Sequence, residues 1–136
     1  MLRGTLPEPT PETAWFWEGT RLGELRVQRC DQCGQHAFPL SAVCLSCYGR
    51  DLSIVASSGR ARLYSYVINH MVAAGTGPYA IAVVELAEGP RLMTNIVECP
   101  QTPEALALDM ALEVVFERAS DSITLPKFRP IRVAND

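Results

Sequence analysis

The sequence predicts a mainly β protein, in which an N-terminal helix and a zinc ribbon precede a small β-barrel of OB type. Two Cys-x-x-Cys pairs, at 30–33 and 44–47, have the spacing of a four-thiolate zinc ribbon. Beyond residue 59, about five segments of apolar character separated by turn residues are typical of a small barrel. These observations divide the chain into a leader with a helix (1–23), a ribbon (24–50) and a barrel (51–136). A sandwich of similar size is the competing fold.

The helix is predicted from the signals at its two ends. Residues 1–9 form an extended leader, and Thr10 then offers a hydroxyl N-cap. Pro11 follows at the first helical position, where proline is favoured. Gly19 or Gly23 is expected to end the helix, because glycine readily adopts the conformation of a C-terminal cap.

This helix carries three aromatic residues in succession, which together cover about 200° of its circumference. A small domain cannot easily bury all three on one face. In one interpretation, Trp15 and Leu22 pack against the ribbon or the barrel. In the other, part of the aromatic run contacts a second protein or a ligand. The second interpretation makes a partner interface of Trp15, Phe16 and Trp17.

The cysteine pairs predict a structural metal site. Each Cys-x-x-Cys turn presents two thiolates, and two such knuckles complete a tetrahedral shell with no open position for water. Gly34 and Tyr48 follow the knuckles where a positive φ is often required. Disulfides and a redox dithiol are disfavoured, the first by a reducing compartment and the second by the matched repeat. The predicted zinc ligands are Cys30, Cys33, Cys44 and Cys47.

Seven strands and two connections are predicted around and after the knuckles from apolar patterning and turn residues. Segment 71–78 is a flexible loop with two glycines, and 103–110 is a short helical turn. The expected strands are 24–29, 52–56, 60–70, 79–86, 91–98, 112–118 and 123–129.

Composition and charge indicate the cellular compartment and the class of partner. The chain start lacks a signal-peptide pattern, and no apolar run approaches the roughly 18–20 residues of a spanning helix. We therefore expect a cytoplasmic protein. The net charge of −3 weighs against a nucleic-acid surface. Cys99 and His70 are interpreted as non-catalytic, because no neighbouring group in the sequence would activate either side chain.

The residues fall into two motif blocks that resemble one known family. The first block contains 16–19, 28–30, 33–34, 38–39 and 44–47, and the second contains 59–69, 78–85, 89–95 and 124–130. Together they resemble the zinc-ribbon/OB-fold acyl-CoA-associated family, long catalogued as domain of unknown function thirty-five. The resemblance covers about residues 11–130, and Tyr48, where many members have glycine, is a mild departure.

The resemblance implies a helical leader, a rubredoxin-like zinc ribbon and an OB barrel, in a protein that is not an enzyme by itself. Members of the family are companion subunits of thiolase-superfamily proteins that degrade lipid or aromatic acyl-CoA by thiolysis or retro-aldol cleavage. A related arrangement joins the domain to a hydratase. The expected role is to bind or channel the CoA portion, with structural zinc as the cofactor and a hetero-oligomer as the assembly.

Binding of CoA would require cations for its phosphates and flat side chains for its adenine. The alternative is that Lys127 and Arg129 cap a barrel end in solvent, while Tyr64 and Tyr66 belong to the core. The candidate CoA contacts are Lys127, Arg129 and Arg91 for phosphate and Tyr64, Tyr66 and Phe128 for stacking.

Two other classes of function stay open. Ribbons and OB folds also bind nucleic acid, although that role predicts a basic face with interleaved aromatic residues. A stand-alone acyl-CoA carrier or enzyme is the second alternative. No Ser/His/Asp set, glycine-rich phosphate loop or second metal cluster is recognised in the sequence, which favours a non-catalytic subunit.

Overall fold

A computed structural model describes residues 6–131, and within this range the chain forms a helix and two β-sheets. The ends of the predicted leader (1–5) and of the predicted barrel (132–136) lie outside the described residues. The elements are α1 (Ala14–Arg21), β1 (Arg26–Cys30), β2 (His36–Ala37), β3 (Leu52–Ala56), β4 (Arg60–Asn69), β5 (Tyr79–Leu86), β6 (Arg91–Thr94), β7 (Ala111–Arg118) and β8 (Thr124–Pro130).

The first sheet belongs to the ribbon and has the order β2-β1-β3, with antiparallel pairing throughout. β3 pairs along the whole of β1, from Arg26 opposite Ala56 to Cys30 opposite Leu52. This pairing places residues 52–56 in the ribbon sheet. The ribbon sheet therefore extends beyond the boundary predicted after residue 50.

The second sheet has the order β6-β5-β4-β7-β8 and curls into a half-barrel, which confirms the prediction of an OB-type fold. Its two outer strands approach each other through a parallel bridge between Ile96 and Phe128. The amide of Val97 donates to Phe128 O at 2.8 Å, and the amide of Phe128 donates to Asn95 O at 3.1 Å. β6 ends at Thr94, before the predicted 98, and the chain then forms this seam.

Strict alternation on β5 shows how the core is formed. Its even-numbered residues are buried, whereas its odd-numbered residues, from Tyr79 to Glu85, are only half-buried. The period of two directs successive side chains to opposite faces of the sheet. The fully buried large side chains of the core include Leu25, Leu63, Leu86, Ile96, Leu106, Leu112 and Phe128.

α1 begins three residues later than a cap at Thr10 predicts, because residues 10–13 form a separate turn. Gly23 ends the helix with a φ of 81°. The amide of Glu24 donates to Gly19 O at 2.8 Å, and that of Gly23 donates to Thr20 O at 3.1 Å. These two bonds form a Schellman cap. The prediction that Gly23 ends the helix is correct, and Gly19 is instead a buried helical residue.

The buried face of α1 is formed by Phe16, Gly19 and Thr20. Trp15 packs against the core, but Leu22 is 56% exposed, so the interpretation in which both residues pack is wrong for Leu22. A Cβ at Gly19 would lie 2.6 Å from Arg26 Cδ, which shows that the missing side chain makes room for the arginine of β1. Among the described residues, no helix is long and apolar enough to cross a bilayer.

Residues 103–110 contain a hydrogen-bonded turn but no helix. The amides of Ala105 and Leu106 both donate to Thr102 O at 3.1 Å, and Leu106 inserts into the core with 1% exposure. The short helical turn predicted here is therefore a single hydrogen-bonded turn, which contributes Leu106 to the core.

Candidate functional site

The four predicted zinc ligands converge between the two knuckles of the ribbon. All four Sγ atoms lie within 4.8 Å of one another, and the pairs Cys30–Cys47 and Cys33–Cys44 are both 3.6 Å apart. Sulfurs that are each about 2.3 Å from one tetrahedral Zn²⁺ lie about 3.8 Å from one another. The cluster therefore fits a structural zinc ion.

The two knuckles have matching backbone hydrogen bonds. The amide of Gly34 donates to Cys30 O at 2.8 Å, and the amide of Tyr48 donates to Cys44 O at the same distance. Gly34 has a φ of 81° and Tyr48 a φ of 61°, so both adopt the left-handed conformation expected after a knuckle. This conformation costs a non-glycine residue roughly 1–2 kcal/mol. The knuckle geometry holds Tyr48 in it.

Backbone amides favour the thiolate form of the two buried ligands. The amide of Cys47 and the one before it donate to Cys44 Sγ at 3.5 and 3.3 Å, and they lower the pKa of Cys44 to about 6. The Cys33 amide likewise lowers the pKa of Cys30. At Cys47, the Gly49 amide acts in the same direction, but the neighbouring sulfurs, Cys30 first, raise the pKa to about 12. Four thiolates in so small a volume require a cation between them.

An aromatic cluster joins the helix to the ribbon. The ring of Phe16 lies at its centre, 5.8 Å from Trp15, 5.0 Å from Trp17 and 5.1 Å from Phe38. Phe16 is 7% exposed. It therefore has too little surface to contact a partner, and it leaves the predicted interface. Trp15 and Trp17 are half-buried and keep exposed edges.

A cavity of about 650 Å³ lies between α1, the ribbon segment 38–42 and the strands β6 and β8. We call it the apolar cavity. Glu12 and Lys127 are the charged residues of its lining. A mostly apolar lining with a few polar groups is typical of a small-molecule site. Its apolar walls include Trp15, Trp17, Phe38, Met93, Leu125 and Pro126.

A second cavity, of about 800 Å³, lies beside the first and has a more polar lining. We call it the polar cavity. It is lined by residues that include Tyr79, Glu98, Gln101 and Arg118. Three residues line both cavities, namely Asn95, Leu125 and Lys127.

Lys127 lies at this shared wall and is half-buried. Its ammonium group donates to Asn95 Oδ1, and the Asn95 amide in turn donates to Ala80 O at 2.7 Å. Within residues 6–131, Lys127 forms no ion pair with a carboxylate. An ammonium group has three donors, so two are available for a ligand.

The other two phosphate candidates already have carboxylate partners. Arg129 Nε donates to Glu113 at 2.8 Å, and its Nη1 contacts Glu98 at 3.2 Å. These carboxylates, Glu113 first, raise the pKa of Arg129. Arg91 Nε donates to Glu85 at 3.0 Å. The charge of both arginines is thus compensated within the protein.

Arg91 also lies over the ring of Tyr64, with its Cζ 3.9 Å from the ring centroid. Arg62 donates to the same Glu85 at 2.9 Å, and these two arginines, Arg62 first, lower the pKa of Glu85. Neither Arg62 nor Glu85 can be identified as a site residue from the sequence, because the alternating pattern around each of them indicates only a strand. The cross-strand register that aligns Arg62, Glu85 and Arg91 is a property of the folded sheet.

The stacking candidates differ in accessibility. Phe128 is fully buried in the core, so neither ring face can receive an adenine, and this residue leaves the candidate set. Tyr66 is half-buried against the core, whereas Tyr64 is 40% exposed. Of the six predicted CoA contacts, Arg91 and Tyr64 touch each other. Lys127 stands apart from them on the wall of the apolar cavity.

Three further residues complete the wall around Lys127 and are not identified as site residues from the sequence, namely Met93, Asn95 and Leu125. Met93 is 76% exposed on the short strand β6. A large apolar side chain with this exposure can indicate a binding surface, but only the solvent accessibility in the structure reveals it. The strand pattern of the sequence merely places the residue on the outer face of the sheet.

Two family models match consecutive parts of the chain. Residues 17–53 match the rubredoxin-like zinc ribbon domain of ChsH2, and residues 54–117 match the C-terminal OB-fold domain of ChsH2. The junction between the two matches falls within β3.

Curated relatives include a DUF35 domain-containing scaffold protein of Methanocaldococcus jannaschii, 34% identical over 76% of this chain and 79% of its own length. The benzoylsuccinyl-CoA thiolase subunit BbsA of Thauera aromatica is 31% identical over 69% of this chain and 71% of its own length. A probable enoyl-CoA hydratase alpha subunit of Thermomonospora curvata is 32% identical over 91% of this chain. The chain spans 39% of the length of that hydratase subunit.

Among solved structures, a chain described as Ltp2-ChsH2(DUF35) aldolase superposes with a TM-score of 0.78 at 31% sequence identity. The match covers 92% of this chain and 98% of that chain. The likeness therefore includes the helix, the ribbon and the half-barrel in one arrangement.

Proposed function

Because this chain belongs to the DUF35 family of ChsH2-type zinc-ribbon and OB-fold proteins, we propose that it is a non-catalytic accessory subunit of a thiolase-superfamily acyl-CoA enzyme. One observation carries the proposal. The match to a chain of the Ltp2-ChsH2(DUF35) aldolase covers 98% of that chain at 31% identity. The similarity to a benzoylsuccinyl-CoA thiolase subunit supports the same class of partner.

The hydratase relatives do not extend the proposal to hydration. The chain spans 39% of the length of the hydratase subunit from Thermomonospora curvata, so the similarity concerns only that part of the subunit. The shared part is the ribbon and the half-barrel, which supports a role in assembly or ligand binding.

Zinc has a structural role in this proposal. The four cysteines hold one Zn²⁺ with no open coordination position, so the ion supplies folding energy and no reactive water. The ribbon sheet then sets the position of α1 relative to the half-barrel, since α1 packs on β1 as well as on β7 and β8. The proposed ligands are Cys30, Cys33, Cys44 and Cys47.

The partner is proposed to contact the exposed edges of Trp15 and Trp17. Tryptophan combines a large apolar surface with a polar N–H, which makes it frequent at the centre of interfaces. The Trp15 indole N–H already donates to Glu12 O at 2.6 Å, so its ring is held in place before any partner arrives. A pre-ordered aromatic side chain loses little entropy on binding.

Contact with CoA is proposed for Lys127 first, and for Arg91 with Tyr64 second. Lys127 has free donors and no carboxylate partner within residues 6–131, whereas a phosphate would have to compete with Glu85 for Arg91. The planar guanidinium of Arg91 could still stack on adenine from above Tyr64. Arg129, held by Glu98 and Glu113, is the weakest of the phosphate candidates.

The direct test is to purify the tagged chain from its native host and identify what accompanies it by mass spectrometry. A stoichiometric thiolase-superfamily protein is expected. A solitary zinc-loaded protein would favour the carrier alternative, and co-eluting nucleic acid would favour the nucleic-acid alternative. Either result would contradict the proposal.

A variant pair locates the interface. Replacing Trp15 and Trp17 together by alanine should abolish co-purification of the partner while bound zinc stays at the wild-type level. Leu22→Ala is the matched control, because Leu22 follows the same helix, is 56% exposed and does not line the apolar cavity. It should assemble normally. Unchanged assembly of the double variant would place the interface elsewhere.

A further inference from the structure

The two cavities share a wall that contains one cationic residue, Lys127. The apolar cavity lies on one side of Lys127 and the polar cavity on the other, and both have Asn95 and Leu125 in their walls. A ligand with an apolar and a polar part could therefore lie across this wall.

Lys127 differs from the neighbouring arginines because, within the described residues, no carboxylate forms an ion pair with it. In the polar cavity, Arg118 pairs with Asp121 at 2.6 Å, and the nearby Arg129 pairs with Glu98 and Glu113. Lys127 is half-buried and hydrogen-bonded to a neutral amide. The other charged residue of the apolar cavity, Glu12, is exposed to solvent. The carboxylates of the polar cavity are Glu98, which pairs with Arg129, and the exposed Glu117, and neither forms an ion pair with Lys127. A partly desolvated cation without an ion-pair partner favours an anionic ligand.

The apolar cavity has the size and lining for an apolar group of appreciable bulk. Its volume of about 650 Å³ lies within the range of small-molecule sites. Met93 is 76% exposed in its wall, and methionine adapts to irregular ligands. Burial of each methylene group of a ligand contributes about 0.8 kcal/mol before the costs of binding are subtracted.

We propose that the apolar cavity binds the apolar tail of an anionic amphiphile, with Lys127 contacting its anionic or polar head. Two sources share this chemistry, a free carboxylic acid and an acyl-CoA thioester. The thioester source rests on the proposed function and deepens it, because it assigns the acyl part of the substrate to this subunit. The carboxylate source does not depend on a thiolase partner. A bound tail would lie beside Trp15 and Trp17, next to the proposed interface.

The two tryptophans of the chain both line the apolar cavity, so intrinsic fluorescence reports occupancy directly. The full-length zinc-loaded protein is titrated with octanoyl-CoA, CoA and octanoate, and each affinity is checked by calorimetry. Octanoyl-CoA should bind at least about tenfold more tightly than CoA, since CoA lacks the tail. Octanoate that binds as well as octanoyl-CoA would identify the carboxylate source. Equal affinities for octanoyl-CoA and CoA, or no binding of any of the three, would overturn the proposal.

Matched variants test the role of the cation. Lys127→Gln should weaken binding of the tailed ligand by about tenfold or more, because a charged hydrogen bond is lost. Lys127→Arg should restore most of the affinity. Arg129→Gln is the control, since Arg129 lies two residues along β8, is compensated by two carboxylates and lines neither cavity. Equal loss in the two glutamine variants, or none in Lys127→Gln, would contradict the assignment.

The two proposals can fail separately. If the chain co-purifies with a thiolase-superfamily protein but the assembled complex binds octanoyl-CoA no better than CoA, the acyl site is wrong and the accessory function stands. If octanoate binds and no partner is found, the site stands and the accessory function is wrong.

Discussion

The five cysteines show how residue surroundings distinguish a metal ligand from an ordinary thiol. Four of them have their sulfurs within 4.8 Å of one another, and backbone amides lower the pKa of Cys30 and Cys44. Cys99 is half-buried, and desolvation raises the pKa of its thiol. Its surroundings therefore favour the neutral form, which is neither a ligand nor a nucleophile. This supports the sequence-based interpretation of Cys99.

The first prediction follows from this difference. Cys30→Ala should reduce bound zinc from about one equivalent to none and leave an insoluble protein, because metal binding supplies about 10–16 kcal/mol to such ribbons. Zinc is measured by atomic emission on the purified protein. Cys99→Ala, which removes the cysteine outside the cluster, should retain full zinc. A soluble, zinc-free Cys30→Ala protein that still assembles with its partner would show that the ribbon is dispensable.

At the scale of elements, α1 shows how a helix face is selected. Phe16, Gly19 and Thr20 lie three and four positions apart, which places them on one face. Gly19 allows the Arg26 side chain to approach, and the Arg26 guanidinium donates to Trp15 O at 3.3 Å. The Thr20 hydroxyl donates to Trp17 O at 3.1 Å, so its polar group is satisfied although the residue is fully buried.

The second prediction tests which aromatic residue anchors this helix. Phe16→Ala should lower the free energy of unfolding by about 3 kcal/mol or more, because it removes a buried ring that contacts three other rings. Leu22→Ala, at the exposed residue that follows this helix, should change it by less than about 0.5 kcal/mol, as surface substitutions do. Chemical denaturation at saturating zinc provides both values. Equal effects of the two variants would mean that α1 is not docked through Phe16.

At the scale of the whole molecule, hydrogen bonds to Glu88 connect the half-barrel to the segment that follows the ribbon sheet. Its carboxylate lies in the β5–β6 turn and accepts from Ser57 Oγ at 2.7 Å and from the Ser58 amide at 2.8 Å. The Ser57 amide donates to Leu25 O at 2.7 Å, next to β1. Desolvation alone would raise the pKa of Glu88, but the hydrogen bonds from Ser58 and Ser57 outweigh it and lower the pKa.

The third prediction concerns how the stabilisation by the Glu88 carboxylate depends on pH. Because the folded pKa of Glu88 lies below the unfolded value of about 4.3, its stabilisation is present above pH 4.3 and is lost as the pH falls through the folded pKa. Glu88→Gln should therefore be less stable than wild type by about 1 kcal/mol at neutral pH. The difference should shrink below about pH 4.3.

Denaturation curves of both proteins test the prediction over the part of this pH range in which both retain bound zinc, because the ribbon without zinc would not be folded in either protein. Glu104→Gln removes an exposed carboxylate for which no hydrogen bond is found within the described residues, and it serves as the control. A stability difference for Glu88→Gln that stays constant with pH would show that the carboxylate charge contributes nothing.

The local features of this protein can be read from its amino-acid sequence alone. The knuckles, the glycine that ends α1 and most strand bounds depend on neighbouring residues and on periods of two or three to four positions, which a sequence displays directly. β3 and β5 have the predicted bounds, and the cysteines meet as their spacing indicates. The motif blocks also indicated the family before any fold was known.

Which of these residues share a surface depends on the fold of the whole chain. Cross-strand register and the docking of α1 determine that Phe16 and Phe128 are buried. They also determine that carboxylates pair with Arg91 and Arg129, whereas Lys127 lines the apolar cavity without such a partner among the described residues. These contacts join residues far apart in the chain, and no local period encodes them. The reason is physical: the exposure and the net charge of a side chain are set by what folding brings beside it, and the chain order does not state which segments will meet.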